Sequence, residues 1–523
     1  MLIGKKQFLI LAAFAACVFG CASCKQEDDP FTGIKIASSA TTGDAGGTVS
    51  ITATYYNEDT ADASSPVTYT LSADSTGGAY FGTSGTLTTT GTSGSSVTLT
   101  LGSTGGESVT VTATCNSSSA SKKIYTKTTT SVTDTPTGYA GVDWVSFYDS
   151  GKLVTVTTKS ELVNYAKQGG YTILVDGMID LSEGMLPTTG GGTTSALDAF
   201  VKANSSYATY SAYNTANTKS VSASADWTNP LNSAYGNKIR LTVASNTAII
   251  GKTAGSGVKG GSIYINGKSN IIIRNLIIRD AYDPFPAHEK NDGWNAQHDN
   301  ITIRNGNHIW VDHCTLEDTL TLATGANGEK WQTYDGLCDI TNTSGSNYVT
   351  VSNCILRNHD KTMLIGSSDS DGSYSATTAD ESKVIRFVTL SGNYFENCGQ
   401  RLPMVRNTLI HIYNNYYTTS GSPYSSQSTV NARNGSIVYA ENNYFGSGLK
   451  YSFNAAKSNS TTPVLHASGN GGSSVNSTSY ISAKDSAVFS SRSGAEYTYT
   501  PLTASETAAT VPSTAGAGVI SVQ

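Results

Sequence analysis

Six charged side chains in the second half of the chain have the types and spacing for metal or acid–base chemistry. They are Asp299, Asp335, Asp339, Lys361, Arg401 and Arg406. Three carboxylates brought to one point repel one another, and a hard divalent cation with oxygen ligands relieves that repulsion. We therefore expect a calcium centre, provided that the fold brings these residues together. The alternative is that the aspartates are solvated or pair with the neighbouring cations.

The elements that must position these side chains are short strands that recur at irregular intervals. Six related segments cover residues 271–276, 309–314, 349–354, 388–393, 410–415 and 438–443. Their last residues are separated by 38, 40, 39, 22 and 28 positions. A basal step near 22, lengthened by loops, is typical of a solenoid. The sequence therefore predicts an all-β protein whose main part is a right-handed parallel β-helix.

The spacing within these segments predicts where the charged residues fall on the coils. Asp299 and Asp339 each lie 15 residues before the last position of their segments, and Arg401 lies 14 before. Lys361 lies 32 residues before the last position of its segment, Asn393, because a long polar loop follows it. All four are expected at the same place on successive coils, about 4.8 Å apart. Asp299 should occupy the turn before its strand.

The segment 335–339 is predicted to continue as a strand with both of its aspartates facing outward. Side chains alternate along a strand, so Gly336 and Cys338 would then face inward.

The last position of each segment predicts an internal ladder. Asn393, Asn415 and Asn443 occupy it in successive segments, where each amide can hydrogen-bond to the next coil. Cys314 and Cys354 occupy it in the two earlier segments. They either form a disulfide or stack as small apolar fillers.

Three motifs around these residues carry a family resemblance. They comprise residues 295–303 with 310–313, residues 334–339 with 359–362 and 366–369, and residues 399–406 with 411–416. Together they resemble the extracellular pectate lyases of the parallel β-helix type, polysaccharide lyase family 1. The resemblance extends from about residue 138 to residue 446.

The resemblance implies a role for each of the six charged residues. It implies Ca²⁺ ligands at Asp299, Asp335 and Asp339, a catalytic and substrate-binding cation at Lys361, a catalytic base at Arg401 and a substrate carboxylate clamp at Arg406. Gln297 stands where some members of the family carry another carboxylate, which would weaken the calcium site. A guanidinium is a base only against its usual protonation, so an alkaline pH optimum is expected. The alternative for Arg401 is a purely electrostatic role.

The activity expected from the resemblance is calcium-dependent cleavage of α-1,4-linked polygalacturonate, or pectate, by β-elimination. Three alternatives remain. A pectin lyase acting on methyl-esterified pectin would not need the calcium carboxylates. A polygalacturonase would need two carboxylates flanking the scissile bond. A non-catalytic glycan-binding β-helix would need neither Lys361 nor Arg401.

The composition agrees with an exported β-rich protein. Charged residues are 14% of the 523 residues, Gly and Tyr number 52 and 29, and the formal net charge is −6. No long basic block marks a nucleic-acid partner. We expect a pectin polysaccharide partner, no nucleic acid and a monomer.

The N-terminus is predicted to be a bacterial lipoprotein signal covering residues 1–24. Lys5 and Lys6 precede an apolar run at 8–20, too short to span a membrane. Either Cys21 or Cys24 would be lipidated, giving a secreted lipoprotein of the outer membrane or cell surface whose only membrane contact is this anchor. The alternative is that the two cysteines form a redox pair.

Two further regions complete the predicted domain organisation. Residues 31–134 contain alternating runs at 48–54, 67–71, 96–101 and 108–114 and are predicted to form a bacterial Ig-like β-sandwich, a spacer or a glycan-binding module. The lyase domain is placed at 136–523.

Within this second domain, the only helix expected is a short one at 160–168, and residues 188–227 are predicted to be a long insertion. The chain after residue 447 is expected to finish the solenoid and pack over its end. Trp310, Asp312 and His313 are expected to be structural, while His288, Glu289 and Asp292 are candidates to line a cleft.

Overall fold

A computed structural model describes most of the chain. The described residues are 30–72, 78–187, 193–217, 221–222, 224–290, 292–320, 333–341, 347–368, 384, 386–420, 429–455, 462–472 and 496–523. The predicted signal at residues 1–24 lies outside them, as does Asp369 of the second motif. No helix in the described part of the chain is long and apolar enough to cross a membrane.

The first part of the chain folds as a sandwich of two mainly antiparallel sheets. The four alternating runs are confirmed as strands, and burial alternates along Ser108–Cys115 because every second side chain faces the core. Ile51 and Tyr69, from opposite sheets, are fully buried between them, and Cys115 is a buried free thiol. One sheet contains Gly33–Ser38, Thr48–Asn57, Thr60–Asp62, Tyr80–Phe81 and Ser96–Thr100, and the other contains Thr42–Gly43, Pro66–Leu71, Thr88–Thr92, Ser108–Cys115 and Ser118–Thr126.

The rest of the chain winds three parallel sheets into a β-helix, in which each coil contributes one strand to each sheet. This confirms the predicted fold class. Sheet 1 contains Leu153–Val156, Thr172–Val175, Thr247–Gly251, Ser269–Arg274, Asn307–Asp312, Asn347–Ser352, Arg386–Ser391, Leu409–Tyr413, Ile437–Glu441 and Val464–Ser468. Sheet 2 contains Met178–Asp180, Gly257–Lys259, Ile277–Arg279, Thr315–Glu317, Ile355–Lys361, Tyr394–Gln400, Tyr416–Thr418, Tyr444–Phe445 and Gly471–Gly472. Sheet 3 contains Arg240–Thr242, Ser262–Asn266, Ile301–Arg304, Cys338–Thr341, Leu364–Ile365, Met404–Val405, Val430–Ala432 and Phe453–Ala455.

The six recurring segments lie side by side in sheet 1 in the predicted register. Ile271, Ile309, Val349, Val388 and Ile410 pair in sequence across successive strands. Their inward side chains form one continuous apolar core, because both faces of a parallel sheet are normally covered. The repeat in the sequence therefore specifies the stacking of the coils.

The predicted asparagine ladder is present inside the coils. Asn393 Nδ2 donates to Asn415 Oδ1 over 2.9 Å, and Asn415 Nδ2 donates to Asn443 Oδ1 over 3.0 Å. All three side chains are fully buried. Cys314 and Cys354 stack in the same register as free thiols rather than as a disulfide.

Asp312 has the structural role expected of it. Its carboxylate accepts from Arg274 Nε at 2.9 Å and lies 2.7 Å from His313 Nδ1. Burial opposes its ionisation, but His313 and Arg274 outweigh burial and lower the pKa of Asp312 to about 2. Trp310 is buried nearby and donates to Ser352.

The structure contains more helix than the sequence predicts. The helices of the described residues are Lys159–Gln168, Ser195–Asn204, Tyr210–Asn217, Asn232–Ile239 and Ala504–Thr514, with 3₁₀ turns at Gly138–Gly141 and Ser150–Lys152. The helix predicted at 160–168 is confirmed. The expectation of no further helix is wrong, because two short helices in the 188–227 insertion bury Tyr210 and Tyr213 against Phe285. Tyrosine rings build that small core, so aliphatic periodicity does not reveal it.

The C-terminal segment differs in part from the prediction. The strands Phe453–Ala455, Val464–Ser468 and Gly471–Gly472 do extend the solenoid. Residues 496–523, however, do not pack over its end but run back along its outside. Gly518 N donates to Asn275 Oδ1, and Ile520–Val522 pairs with Thr128–Thr130 beside the sandwich.

Candidate active site

A cleft lies where the strands of sheet 2 end and those of sheet 3 begin. It has a volume of about 280 Å³ and is lined by Glu289, Asp292, Trp294, Asn295, Asp360, Lys361, Gln400 and Arg401. Lys361 ends the strand Ile355–Lys361 and pairs with Gln400 at the end of the next strand. The predicted cations Lys361 and Arg401 therefore share one cleft.

Asp299 lies in the turn before the strand Ile301–Arg304, as predicted. Its side chain is held by two donors, Thr302 Oγ1 at 2.7 Å and the Gly336 amide of the next coil at 2.9 Å. It is only 8% exposed. These bonds fix the carboxylate against the next coil.

Gly336 allows two carboxylates to meet in the next coil. A Cβ at this position would lie 2.5 Å from Asp339 Oδ1 and 2.9 Å from Asp299 Oδ1. Asp339 Oδ1 also accepts from the Leu364 amide at 2.9 Å. Only glycine leaves this space open, so Gly336, Asp299 and Asp339 form what we call the Gly336 cradle.

The predicted alignment of the charged residues is wrong in detail. Strand pairing aligns Asp339 with Thr302, not with Asp299. Gly336 bridges to Lys361, which pairs with Gln400 rather than Arg401. Counting along the chain assumes that every coil bends at the same point, but the coils bend at different points.

The predicted alternation across 335–339 also fails. Leu337 and Cys338 are both fully buried in the core, so no regular strand connects the two aspartates. The strand begins only at Cys338. A bend at Leu337 separates the two aspartates just before the strand begins.

Asp335 is bound to Lys361. Lys361 Nζ donates to Asp335 Oδ1 at 2.9 Å and to Asn295 Oδ1 at 2.5 Å. The Asp335 carbonyl lies 2.7 Å from His359 Nε2, whose ring is fixed in turn by Asp318. The backbone beneath the cleft is therefore held in place by a buried histidine.

Burial, followed by the neighbouring like charges, raises the pKa values of two acidic residues. Burial and the neighbouring Asp335 raise the pKa of Asp299 to about 6. Burial, Asp299 and Asp335 raise the pKa of Asp339 well above its usual range, and Arg401 offsets this only in part. A cation placed among these carboxylates would favour their ionised forms.

The oxygen donors of the Gly336 cradle fit a hard cation such as calcium. Within the described ranges, no three acidic, histidine or cysteine side chains are arranged to hold a metal ion as they stand. Asp335 is turned toward Lys361 instead. A bound ion would therefore need Asp335 to turn, or a carboxylate from a ligand, in addition to Asp299 and Asp339.

Arg401 follows the strand Tyr394–Gln400 in a left-handed conformation, with φ of +59°. This conformation is uncommon for a residue with a side chain and is kept only where the surroundings impose it. Its Nε is buried without a hydrogen-bond partner beside the cleft. Among the residues that the structure describes, none accepts a hydrogen bond from this Nε–H.

Arg406 lies on the neighbouring sheet and does not line this cleft. It follows Val405, whose strand lies two coils from that of Asp339. Gly366 packs against its backbone, where a Cβ would lie 2.6 Å from the Arg406 carbonyl oxygen. Five of the six predicted residues therefore meet at or beside the cleft, and Arg406 flanks it.

A hairpin contributes cleft residues that the sequence identified only in part. Glu289 and Asp292 line the cleft, as anticipated, whereas the His288 ring is turned to the Ala225 carbonyl. Asn295 and Trp294 were not anticipated. Asn295 opens the first motif, but nothing in its spacing indicates a contact with a lysine 66 residues later.

Comparisons with known proteins agree with this geometry. A family model described as pectate lyase matches residues 184–520, well over half of the chain. A pectate lyase of Bacillus subtilis (strain 168) is 40% identical over 215 residues, covering 39% of this chain and 49% of that protein. Pectate lyase E of Dickeya chrysanthemi is 43% identical over 181 residues, covering 34% of this chain and 43% of that protein. The chain thus matches less than half the length of these two relatives.

Two solved structures resemble the solenoid. A point mutant of Bacillus subtilis pectate lyase matches with a TM-score of 0.57 and 25% identity, covering 74% of this chain and 99% of that one. A pectate lyase bound to a hexasaccharide matches with a TM-score of 0.54 and 25% identity, covering 74% and 98%. With the family model matched across most of the solenoid, this chain belongs to the pectate lyase family.

Proposed function

We propose that this protein cleaves α-1,4-linked polygalacturonate by calcium-dependent β-elimination, giving 4,5-unsaturated oligogalacturonides. One observation carries the proposal. Asp299 and Asp339 meet at the Gly336 cradle, and Asp335 is bound to Lys361, which shares a cleft with Arg401.

The chemistry of the substrate explains why both charges are needed. The C5 proton of a galacturonate is α to a carboxylate, and its removal builds negative charge there. Calcium, when bound by Asp299, Asp335 and Asp339, would supply positive charge to that carboxylate. Lys361 adds a fixed cation, and Arg406 would grip a substrate carboxylate with two parallel hydrogen bonds.

Arg401 is proposed to take the C5 proton. Its unpartnered Nε lies beside the cleft, and its left-handed backbone is held between two successive coils. The electron pair left at C5 forms the C4–C5 double bond as the C4–oxygen bond breaks, and the departing sugar oxygen takes a proton from solvent. No water is added, which separates this reaction from hydrolysis.

The alternatives fit the site less well. A methyl-esterified substrate offers no free carboxylate, so a pectin lyase would have no use for buried acids such as Asp299 and Asp339. A non-catalytic glycan-binding protein would bind carboxylates through Lys361 and Arg401 and would have no use for three acids beside them.

The location of the protein is proposed from its N-terminus. A lipid on Cys21 or Cys24 would attach a secreted, monomeric enzyme to the outer membrane or cell surface. The N-terminal sandwich is then proposed to be an Ig-like spacer between the anchor and the polysaccharide.

The test is incubation with polygalacturonate, with and without a calcium chelator, while ultraviolet absorbance is followed. Unsaturated product should accumulate only with calcium, and more slowly on highly methyl-esterified pectin. The matched control is Asp339→Asn, which keeps the shape but removes a ligand charge. Absence of product with calcium present would overturn the proposal.

A further inference from the structure

A β-hairpin outside the solenoid forms one wall of the cleft. Its strands, Ala287–Glu289 and Gly293–Asn295, pair antiparallel. Trp294 packs edge-on against Trp227 and His288, with centroids 5.8 and 5.0 Å apart. Trp227 also forms two backbone hydrogen bonds of 2.8 Å with His288. The hairpin is therefore held rigidly against the insertion.

The hairpin carries a hydrogen-bonded chain that ends on Lys361. Asn295 Nδ2 donates to Glu289 Oε1 at 2.8 Å, while Asn295 Oδ1 accepts from Lys361 Nζ. An ammonium only donates and a carboxylate only accepts, so the amide between them has a single favourable orientation. Glu289 thereby turns the amide oxygen of Asn295 toward Lys361.

Lys361 has a second acceptor, Asp335, which would turn away from it to bind calcium. The Lys361 side chain is only 10% exposed, so its ammonium has little water to replace a lost partner. An ammonium left buried without an acceptor is costly. Asn295 is a neutral acceptor for which a cation at the Gly336 cradle does not compete.

We infer that Asn295 and Glu289 are positioning residues for Lys361, which keep its ammonium in the cleft when Asp335 turns to calcium. The inference deepens the proposed function and rests on it. Two consequences follow. Loss of Asn295 should misplace Lys361 during turnover, and it should also weaken calcium binding, because Lys361 would then hold Asp335 as its only acceptor.

The experiment compares wild type with Asn295→Ala, Asn295→Asp and the double variant Asn295→Asp/Glu289→Gln. The double variant exchanges the two groups of the natural pair. The amide introduced at Glu289 donates to the carboxylate introduced at Asn295, and that carboxylate still accepts from Lys361. We measure kcat on polygalacturonate and, without substrate, calcium affinity by titration calorimetry. The thermal midpoint of each variant reports its folding.

Asn295→Ala should lose about 10-fold in kcat and about 10-fold in calcium affinity, as expected for one lost hydrogen bond to a charged group. Asn295→Asp alone should also be impaired, because its carboxylate faces Glu289. The double variant should recover most of both losses, which a merely structural role would not explain.

Two results would overturn the inference. The first is wild-type kcat and calcium affinity in Asn295→Ala, whatever its thermal midpoint. The second is a double variant no better than Asn295→Asp. If wild type makes no product, the proposed function fails, and the calcium titrations alone still decide whether the hairpin supports the site.

Discussion

Gly336→Ala is the sharpest test of the calcium proposal, because it adds one methyl group inside the cradle. The new Cβ would lie 2.5 Å from Asp339 Oδ1 and 2.9 Å from Asp299 Oδ1. To reach ordinary contact at 3.4 Å, the Asp339 oxygen must retreat by about 0.9 Å. Calcium sites keep their oxygen distances within roughly 0.2 Å, so the retreat should remove a ligand. Gly336 has no left-handed φ, so alanine does not strain the backbone.

We expect Gly336→Ala to bind calcium at least about 10-fold more weakly, a loss of about 1.4 kcal/mol. Calorimetry without substrate and the calcium concentration for half-maximal cleavage should both report it. Gly255→Ala is the matched control, because a Cβ there meets nothing within 4 Å. Unchanged calcium affinity in a folded Gly336→Ala protein would refute the assignment of the cradle as the metal site.

Three further predictions concern the base, the ladder and the buried ion pair. Arg401→Lys keeps the positive charge but moves the nitrogen that would take the proton, so kcat should fall at least about 100-fold at an unchanged thermal midpoint. The cleavage rate of the wild type should rise above pH 7. A variant with a tenth or more of wild-type activity would contradict the base assignment. Asn415→Ala removes the amide oxygen that accepts from Asn393, so the free energy of unfolding measured with urea should fall by about 3 kcal/mol. The control Asn164→Ala, at an exposed position, should leave that free energy almost unchanged. Equal stabilities of the two variants would argue against the ladder. Because the folded pKa of Asp312 is lowered to about 2, its contribution of about 2 kcal/mol is present above pH 4 and is lost as pH falls toward 2. Asp312→Asn should therefore be about 2 kcal/mol less stable than wild type at pH 7 and should lose less stability on acidification. Asp143→Asn, at an exposed position, should behave as wild type. Parallel curves of stability against pH for Asp312→Asn and wild type would disprove this prediction.

Much of the solenoid follows from local pattern. Ile271 and Ile273 of one segment face the core and pair with Ile309 and Val311 of the next, so the apolar positions of the segments fix their register. The asparagine ladder follows for the same reason, since an amide at an inward position needs a partner in the next coil. The charged residues were also identifiable, because they lie in three motifs that resemble those of the pectate lyase family.

The cleft depends on features that no count along the chain reveals. The bend at Leu337 breaks strand alternation next to Gly336, so Asp339 meets Asp299 at the open cradle rather than through equal spacing. Asn295 reaches Lys361 because a hairpin folds over the solenoid, held there by Trp294 and Trp227. The C-terminal strand returns to Thr128–Thr130 by the same kind of distant contact.

The sequence by itself determined the coil, its core register and the set of charged groups, because each depends on the alternation of neighbouring side chains. Only the tertiary structure decided which of those groups touch and which acceptor Lys361 shares. Such contacts join residues tens of positions apart through turns and loops whose path is set by packing, and local side-chain pattern does not encode that path.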